Sequence, residues 1–166
     1  MIRDPHDKIM TIEQAVVWRR TLKRRRRRLV VTNGCFDILH RGHVSYLCQA
    51  RAVGEALLVA VNSDASVRAL KGPERPVNKE FDRAYLLAGL ESVDAVVIFD
   101  SLRADPVLET VRPDVYVKGG DISIQTLPPE EREVLERCGA RIKFLPFVEG
   151  FSTTGTIHRV RGTRHA

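Results

Sequence analysis

Apolar residues in this chain gather in short unbroken runs separated by stretches with helical spacing. Leu29-Val-Val-Thr-Asn33 is β-rich and shows no polar alternation, which predicts a strand covered on both faces in a parallel sheet. Ala56 to Asn62 reads the same way, and Ala95–Phe99, Val115–Lys118 and Arg141–Leu145 are further strand candidates. Thr11-Ile-Glu-Gln14 fits a capping box and predicts a first helix over 11–26. A second helix is expected from about His43 to Val53, with Gly54 as its left-handed terminator. Helical patterns also fill 64–70, 79–91, 104–111 and 129–138. The last of these begins after Pro128-Pro129 with Glu130 and Glu131 near its positive end, and stops at Gly139. A final helix is expected to start near Ser152. Strands that alternate with helices through short connections imply an α/β fold with a mostly parallel, five-stranded sheet, because parallel neighbours need crossovers. Ligands of such sheets bind at the carboxyl ends of the strands.

Composition narrows the picture. The chain has 166 residues, 43% hydrophobic and 29% charged, ordinary globular values that exclude wholly disordered and fibrous classes. That length suits one domain, read as a helix and basic segment over 1–27 packed on a domain over 28–166. The formal charge of +6 is local: Arg19, Arg20, Lys23 and Arg24 to Arg28 lie together in a stretch without acids. Such a run either binds polyanions or anionic lipid, or is simply a solvated helix end. No nucleic-acid partner is expected from it. No apolar run approaches the roughly 18 residues of a membrane span, and the polar start lacks a secretory core, so a cytoplasmic protein without membrane partners is expected. Cys35, Cys48 and Cys138 are odd in number and lack metal-ligand spacing, which suits reduced thiols.

Chemistry concentrates in Thr32-Asn-Gly-Cys-Phe-Asp-Ile-Leu-His-Arg-Gly-His43, which leaves the first long strand and enters a helix. Free amides and the helix dipole attract phosphate at such a place. His40 and His43 project from neighbouring helix positions, so both can donate to one phosphate, and Gly42 lets backbone approach closely. The structural alternative is one histidine capping the helix while the other packs beneath the loop. Zinc fits less well, since Asp37 is the single nearby third ligand to offer. The Walker pattern and the G-x-G-x-x-G fingerprint are both absent.

The segment GCFDILHRGH resembles the H-x-G-H signature of the nucleotidylyltransferase superfamily, in its cytidylyltransferase-like branch. VNSDASVRALKG at 61–72, RPV at 75–77, Arg83, VKGGDI at 117–122 and EGFSTTGTI at 149–157 follow in matching order. Together they are most similar to the adenylyltransferase domain of the bacterial ADP-heptose synthesis enzymes, over about residues 28–160 and without the sugar-kinase domain fused to many relatives. The resemblance implies a Rossmann-like three-layer sandwich. It also implies transfer of AMP from ATP to D-glycero-D-manno-heptose 1-phosphate for surface-glycan synthesis, a separate upstream kinase, a homo-oligomer, and Mg²⁺ carried mainly on the ATP phosphates.

On this resemblance His40, His43 and Lys71 are the expected catalytic residues. Nucleotide contacts are expected from Thr32, Asn33, Gly34, Cys35, Phe36, Gly42 and Arg83. Lys118, Gly119, Gly120 and Asp121, followed by Ser152, Thr153 and Thr154, complete that set. Asp37, Asn62, Arg75 and Lys79 are candidates for the sugar phosphate, and no side chain is expected to hold metal. Several have plainer readings: Ser152 caps a helix, Asn62-Ser-Asp64 caps another, Gly119-Gly120 is a turn, and Cys35 is a small loop residue. Two other functions stay open, a cytidylyltransferase acting on glycerol 3-phosphate or a similar alcohol phosphate, and a non-catalytic nucleotide- or RNA-binding module built around Arg24–Arg28.

Overall fold

The computed structural model describes residues 3–120, 122–146 and 150–162. Its strands are β1 (Ile9–Met10), β2 (Leu29–Gly34), β3 (Ala56–Asn62), β4 (Ala95–Phe99), β5 (Val115–Gly119) and β6 (Arg141–Leu145). The helices are α1 (Ile12–Arg24), α2 (Arg41–Arg51), α3 (Asp64–Lys71), α4 (Glu80–Ala88), α5 (Asp105–Val111), α6 (Pro129–Cys138) and α7 (Thr153–Gly162). The strands form one six-stranded sheet in the order β1-β4-β3-β2-β5-β6, and every pairing is parallel. Six strands replace the five expected. The additional one is β1, whose two residues pair with Val96 and Val97 and are too short to show a period in the sequence.

Alternation along β2 sorts its side chains by face. Leu29 and Val31 enter a core with α1, α5 and α6, through Leu22, Leu108 and Leu135. Val30 joins the opposite core with Leu47 of α2 and Leu87 of α4. Helices thus cover both faces, which is why β3 is buried along its whole length. From β2 the chain winds through β3 and β4 in one direction and later through β5 and β6 in the other. The crevice between the carboxyl ends of β2 and β5 is therefore the switch point where ligands of this architecture sit.

Two aspartates fasten the strand entrances. Asp94 accepts from Leu57 N and from Arg51, both at 2.8 Å. Asp114 accepts from Leu29 N at 2.7 Å and from Arg19 at 2.8 Å. The basic run shares this work, since Arg28 pairs with Glu55 and Arg27 donates to the Glu55 carbonyl. The Thr11–Gln14 capping box and the left-handed Gly139 terminator form as read from the sequence. Gly54 is different: α2 ends at Ala52 without a left-handed residue. A Cβ on Gly54 would lie 2.5 Å from Val30 Cγ2, so glycine is needed there for close backbone packing. Among the described residues no helix is long and apolar enough to cross a membrane.

Candidate active site

Above the β2/β5 crevice lies a cleft of about 690 Å³. Its centre is the start of α2. His40 is the N-cap, with extended backbone (φ −142°, ψ 170°), and its Nδ1 accepts from His43 N at 3.4 Å. A neutral imidazole that accepts at Nδ1 carries its proton at Nε2, so the cap selects the tautomer with a free donor. The His43 ring stacks on the His40 ring with centroids 3.8 Å apart and meets Phe36 edge-on at 5.3 Å. Gly42 keeps the place open, because a Cβ there would press on the His40 ring and on Phe151 at 3.0–3.1 Å.

Burial governs the protonation of both rings. Burial, together with the neighbouring His40 and against the Ile38 carbonyl, lowers His43 to about 4. His43 Nδ1 is buried and closes no full hydrogen bond of its own. Burial lowers His40 as well. Both imidazoles are therefore neutral at pH 7.

A second helix start faces the first. Ser152 Oγ accepts from Gly155 N at 2.9 Å at the head of α7, and Thr153 Oγ1 donates to the Ile38 carbonyl at 3.4 Å, which ties the two loops together. Thr154 lines the same wall. The Phe151 ring lies 6.2 Å from His40 and carries the Arg41 guanidinium 5.8 Å above it. Two helix N-termini thus converge on one cleft, a setting that favours anions.

Lys71, the last residue of α3, lines the cleft and makes no ion pair with a described residue. Arg75 lines it too, but its charge is engaged by Asp37, Nε to Oδ2, at 2.6 Å. The Asp37 carboxylate is buried and also accepts from Val77 N and Asn78 N at 2.8–3.0 Å. Burial alone would raise its pKa; those amides and Arg75 outweigh burial and hold it below the usual carboxylate range. Asp37 therefore braces the 72–78 loop beside the cleft. Burial pushes the Cys35 thiol up despite Lys71, Arg83 and Arg75 nearby, which leaves it a poor nucleophile.

At the far corner, on the α6 face of the sheet, Lys118 Nζ donates to Asn33 Oδ1 at 3.0 Å and to Tyr116 Oη at 2.9 Å. It also pairs with Glu131 at 3.3 Å. The Tyr116 hydroxyl lies 2.6 Å from Asn33 Oδ1 and 3.0 Å from Glu131 Oε2. Burial, reinforced by the Glu131 charge, raises Tyr116 far enough to keep it protonated. Gly119, the next residue of β5, packs directly on Tyr46.

Gly34 and Phe36 join the cleft with the residues above, so most of the expected set is brought together. Others do not line it. Thr32 is buried, with its hydroxyl on Tyr46 at 2.7 Å. Asn62 donates to Ser66, and Ser63 caps α3, as the plainer reading had it. Arg83 is fully buried and clamps the Cys35 carbonyl at 2.6 Å, the Asn78 carbonyl at 3.0 Å and Asp64 at 2.9 Å, so it shapes the loop from behind. Lys79 is the N-cap of α4, Gly120 lies outside the lining, and Asp121 is outside the described residues. Sequence reasoning missed Tyr46, Leu70, Ile122 and Phe151. Tyr46 had a signal, being three residues after His43 on the same helix. Among the described residues no group of three His, Cys, Asp or Glu side chains is placed to hold a metal ion, and the nearest carboxylates, Asp37 and Glu131, are already paired.

A family model described as cytidylyltransferase-like matches residues 31–159, a span that contains the paired histidines, the Lys118 corner and most of α7. The chain belongs to the cytidylyltransferase-like family. It is a nucleotidyltransferase. Its relatives include proteins called bifunctional protein HldE. That of Nitratiruptor sp. is 47% identical over 92% of this chain and 32% of the relative. That of Geotalea uraniireducens is 47% identical over 95% and 32% respectively. This nucleotidyltransferase thus spans about a third of the length of those relatives. Among solved structures, a lipopolysaccharide core biosynthesis protein from Thermoplasma volcanium aligns with TM-score 0.61 and 26% identity, over 74% of this chain and 97% of the other. Pantoate-beta-alanine ligase from Francisella tularensis shares the fold at TM-score 0.60 and 12% identity, over 92% and 76%.

Proposed function

We propose that this nucleotidyltransferase moves AMP from ATP to D-glycero-D-manno-heptose 1-phosphate, giving ADP-heptose and pyrophosphate for surface-glycan assembly. The observation that carries the reading is the stacked, neutral His40–His43 pair between two converging helix N-termini. An oxygen of the sugar phosphate attacks the α-phosphorus, the bond from that phosphorus to the oxygen bridging toward the β-phosphate breaks, and pyrophosphate leaves with the electron pair. The attacking oxygen is already anionic, so no general base is required, and catalysis reduces to alignment and charge stabilisation.

Neutral imidazoles suit this task, since His40 Nε2–H donates to phosphate oxygens without taking part in proton transfer. The amides at the heads of α2 and α7 add partial positive charge, and Lys71 supplies a mobile cation from the rim. Ser152, Thr153 and Thr154 hold the triphosphate from the α7 side. Asp37 and Arg83 act through the loops they brace. Mg²⁺ would arrive on the triphosphate, whose oxygens and waters satisfy it.

The choice of heptose phosphate rests on the sequence resemblance and on the HldE relatives. The test is pyrophosphate release with ATP or CTP against each anomer of heptose 1-phosphate and against glycerol 3-phosphate. Release with ATP and one heptose anomer is expected. Dependence on CTP and glycerol 3-phosphate would replace the assignment with a cytidylyltransferase, and no release with any pair would leave nucleotide binding alone.

A further inference from the structure

The corner formed by Asn33, Tyr116, Lys118 and Glu131 joins residues from β2, β5 and α6. An ammonium only donates, so the atom of Asn33 that faces Lys118 must be its carbonyl oxygen. That oxygen takes a second bond at 2.6 Å from Tyr116. The orientation of the Asn33 amide is thereby settled: oxygen toward the protein, and the NH₂ group, which donates to no described residue, left for the cleft that Asn33 lines. Glu131 stands behind both donors. It is 2% exposed, accepts from Lys118 and lies 3.0 Å from the Tyr116 oxygen, whose one proton goes to Asn33, while its other oxygen accepts from Ala104 N at 3.4 Å.

Charge separates this corner from the rest of the cleft. Lys118 and Glu131 cancel, so the corner presents a neutral amide donor. The unbalanced positive character lies with Lys71 and the two helix starts. A triphosphate is drawn to the second region, which leaves the balanced corner for an uncharged part of the nucleotide.

We propose that Glu131 is a positioning residue that, through Lys118 and alongside the Tyr116 donor, fixes the Asn33 amide as a hydrogen-bond donor to the nucleoside, its base or ribose, and not to its phosphates. This inference rests on the nucleotide-transfer reading but is independent of which sugar phosphate is the acceptor.

The test is calorimetric titration of the intact chain with ATP, with CTP and with pyrophosphate, for wild type, Asn33→Ala, Glu131→Gln, Tyr116→Phe and the double variants with Asn33→Ala. Melting temperatures identify variants that fold. Each single substitution is expected to weaken the nucleotide by roughly three- to tenfold, the worth of one hydrogen bond, while pyrophosphate affinity is not reduced, Glu131→Gln raising it if anything by leaving Lys118 unbalanced. In the Asn33→Ala background, Glu131→Gln and Tyr116→Phe are expected to add nothing, because the group they orient is gone. If Glu131→Gln does not fold, Tyr116→Phe keeps the ring and removes the other donor that orients the same amide. Unchanged nucleotide affinity, equal weakening of pyrophosphate, or a further loss in the Asn33→Ala background would overturn the proposal. The acceptor is absent from these titrations, so a wrong heptose assignment shows in the pyrophosphate-release assay and leaves this result standing.

Discussion

The imidazoles of His40 and His43 lie face to face, 16° from parallel and 3.8 Å between centroids. Two protonated rings would repel strongly at that distance, and partial burial removes the water that could screen them. The contact therefore belongs to the uncharged pair.

Alanine at either position should cost turnover far more than ATP binding. Removal of an oyanion-type donor typically lowers kcat by about 100- to 1000-fold. Steady-state kinetics are expected to show that loss with the KM for ATP shifted only a few-fold. A large rise in KM with kcat preserved would place the histidines in ground-state binding instead.

Acid should weaken the fold through the same pair. The unfolded chain takes up a proton on His43 near its ordinary value of 6.5, whereas the folded chain waits until about 4. Between those values the unfolded state binds more protons, so stability falls as pH falls through that window. His40 contributes in the same direction. The melting temperature of wild type is expected to decline more steeply from pH 6.5 to 4 than that of His43→Gln, and parallel declines would remove the histidine from the account.

The Asp37 carboxylate is almost fully enclosed and holds both Arg75 and the 77–78 amides. Asp37→Ala leaves an enclosed guanidinium and two amides unpaired, at a cost of about 3 kcal/mol or more. Urea denaturation should report that loss. Trypsin should also cut faster after Lys71, since the loop that follows it loses its brace; unchanged cleavage would mean that other contacts hold it.

Gly119 has no room for a side chain. An added Cβ would lie 2.8 Å from Tyr46 Cε2, and that ring cannot retreat, because its hydroxyl is held by Thr32 and the Val117 carbonyl. Gly119→Ala is expected to lose roughly 1–3 kcal/mol from overpacking. Adding Tyr46→Ala should remove that penalty, so the double variant should be no less stable than Tyr46→Ala alone.

Local physics made much of this legible in the chain itself. Short segments rich in apolar residues marked five of the six strands, Thr11 and Gln14 announced the head of α1, and Pro129 and Gly139 bounded α6. A histidine pair at a strand-to-helix junction pointed to the cleft proposed to take the phosphates, because free amides and the helix dipole depend only on neighbouring residues. Tertiary structure decided the rest. Arg83 and Lys71 look alike as basic residues in matching segments, yet one is buried against carbonyls and the other stands at the cleft, since burial is set by elements distant in the chain. Glu131 read as an acid at a helix start and Tyr116 as a strand residue. Only the packing of α6 beside the ends of β2 and β5 brought them to Asn33 and Lys118, and a charge network among residues so far apart in sequence leaves no periodic trace along the chain.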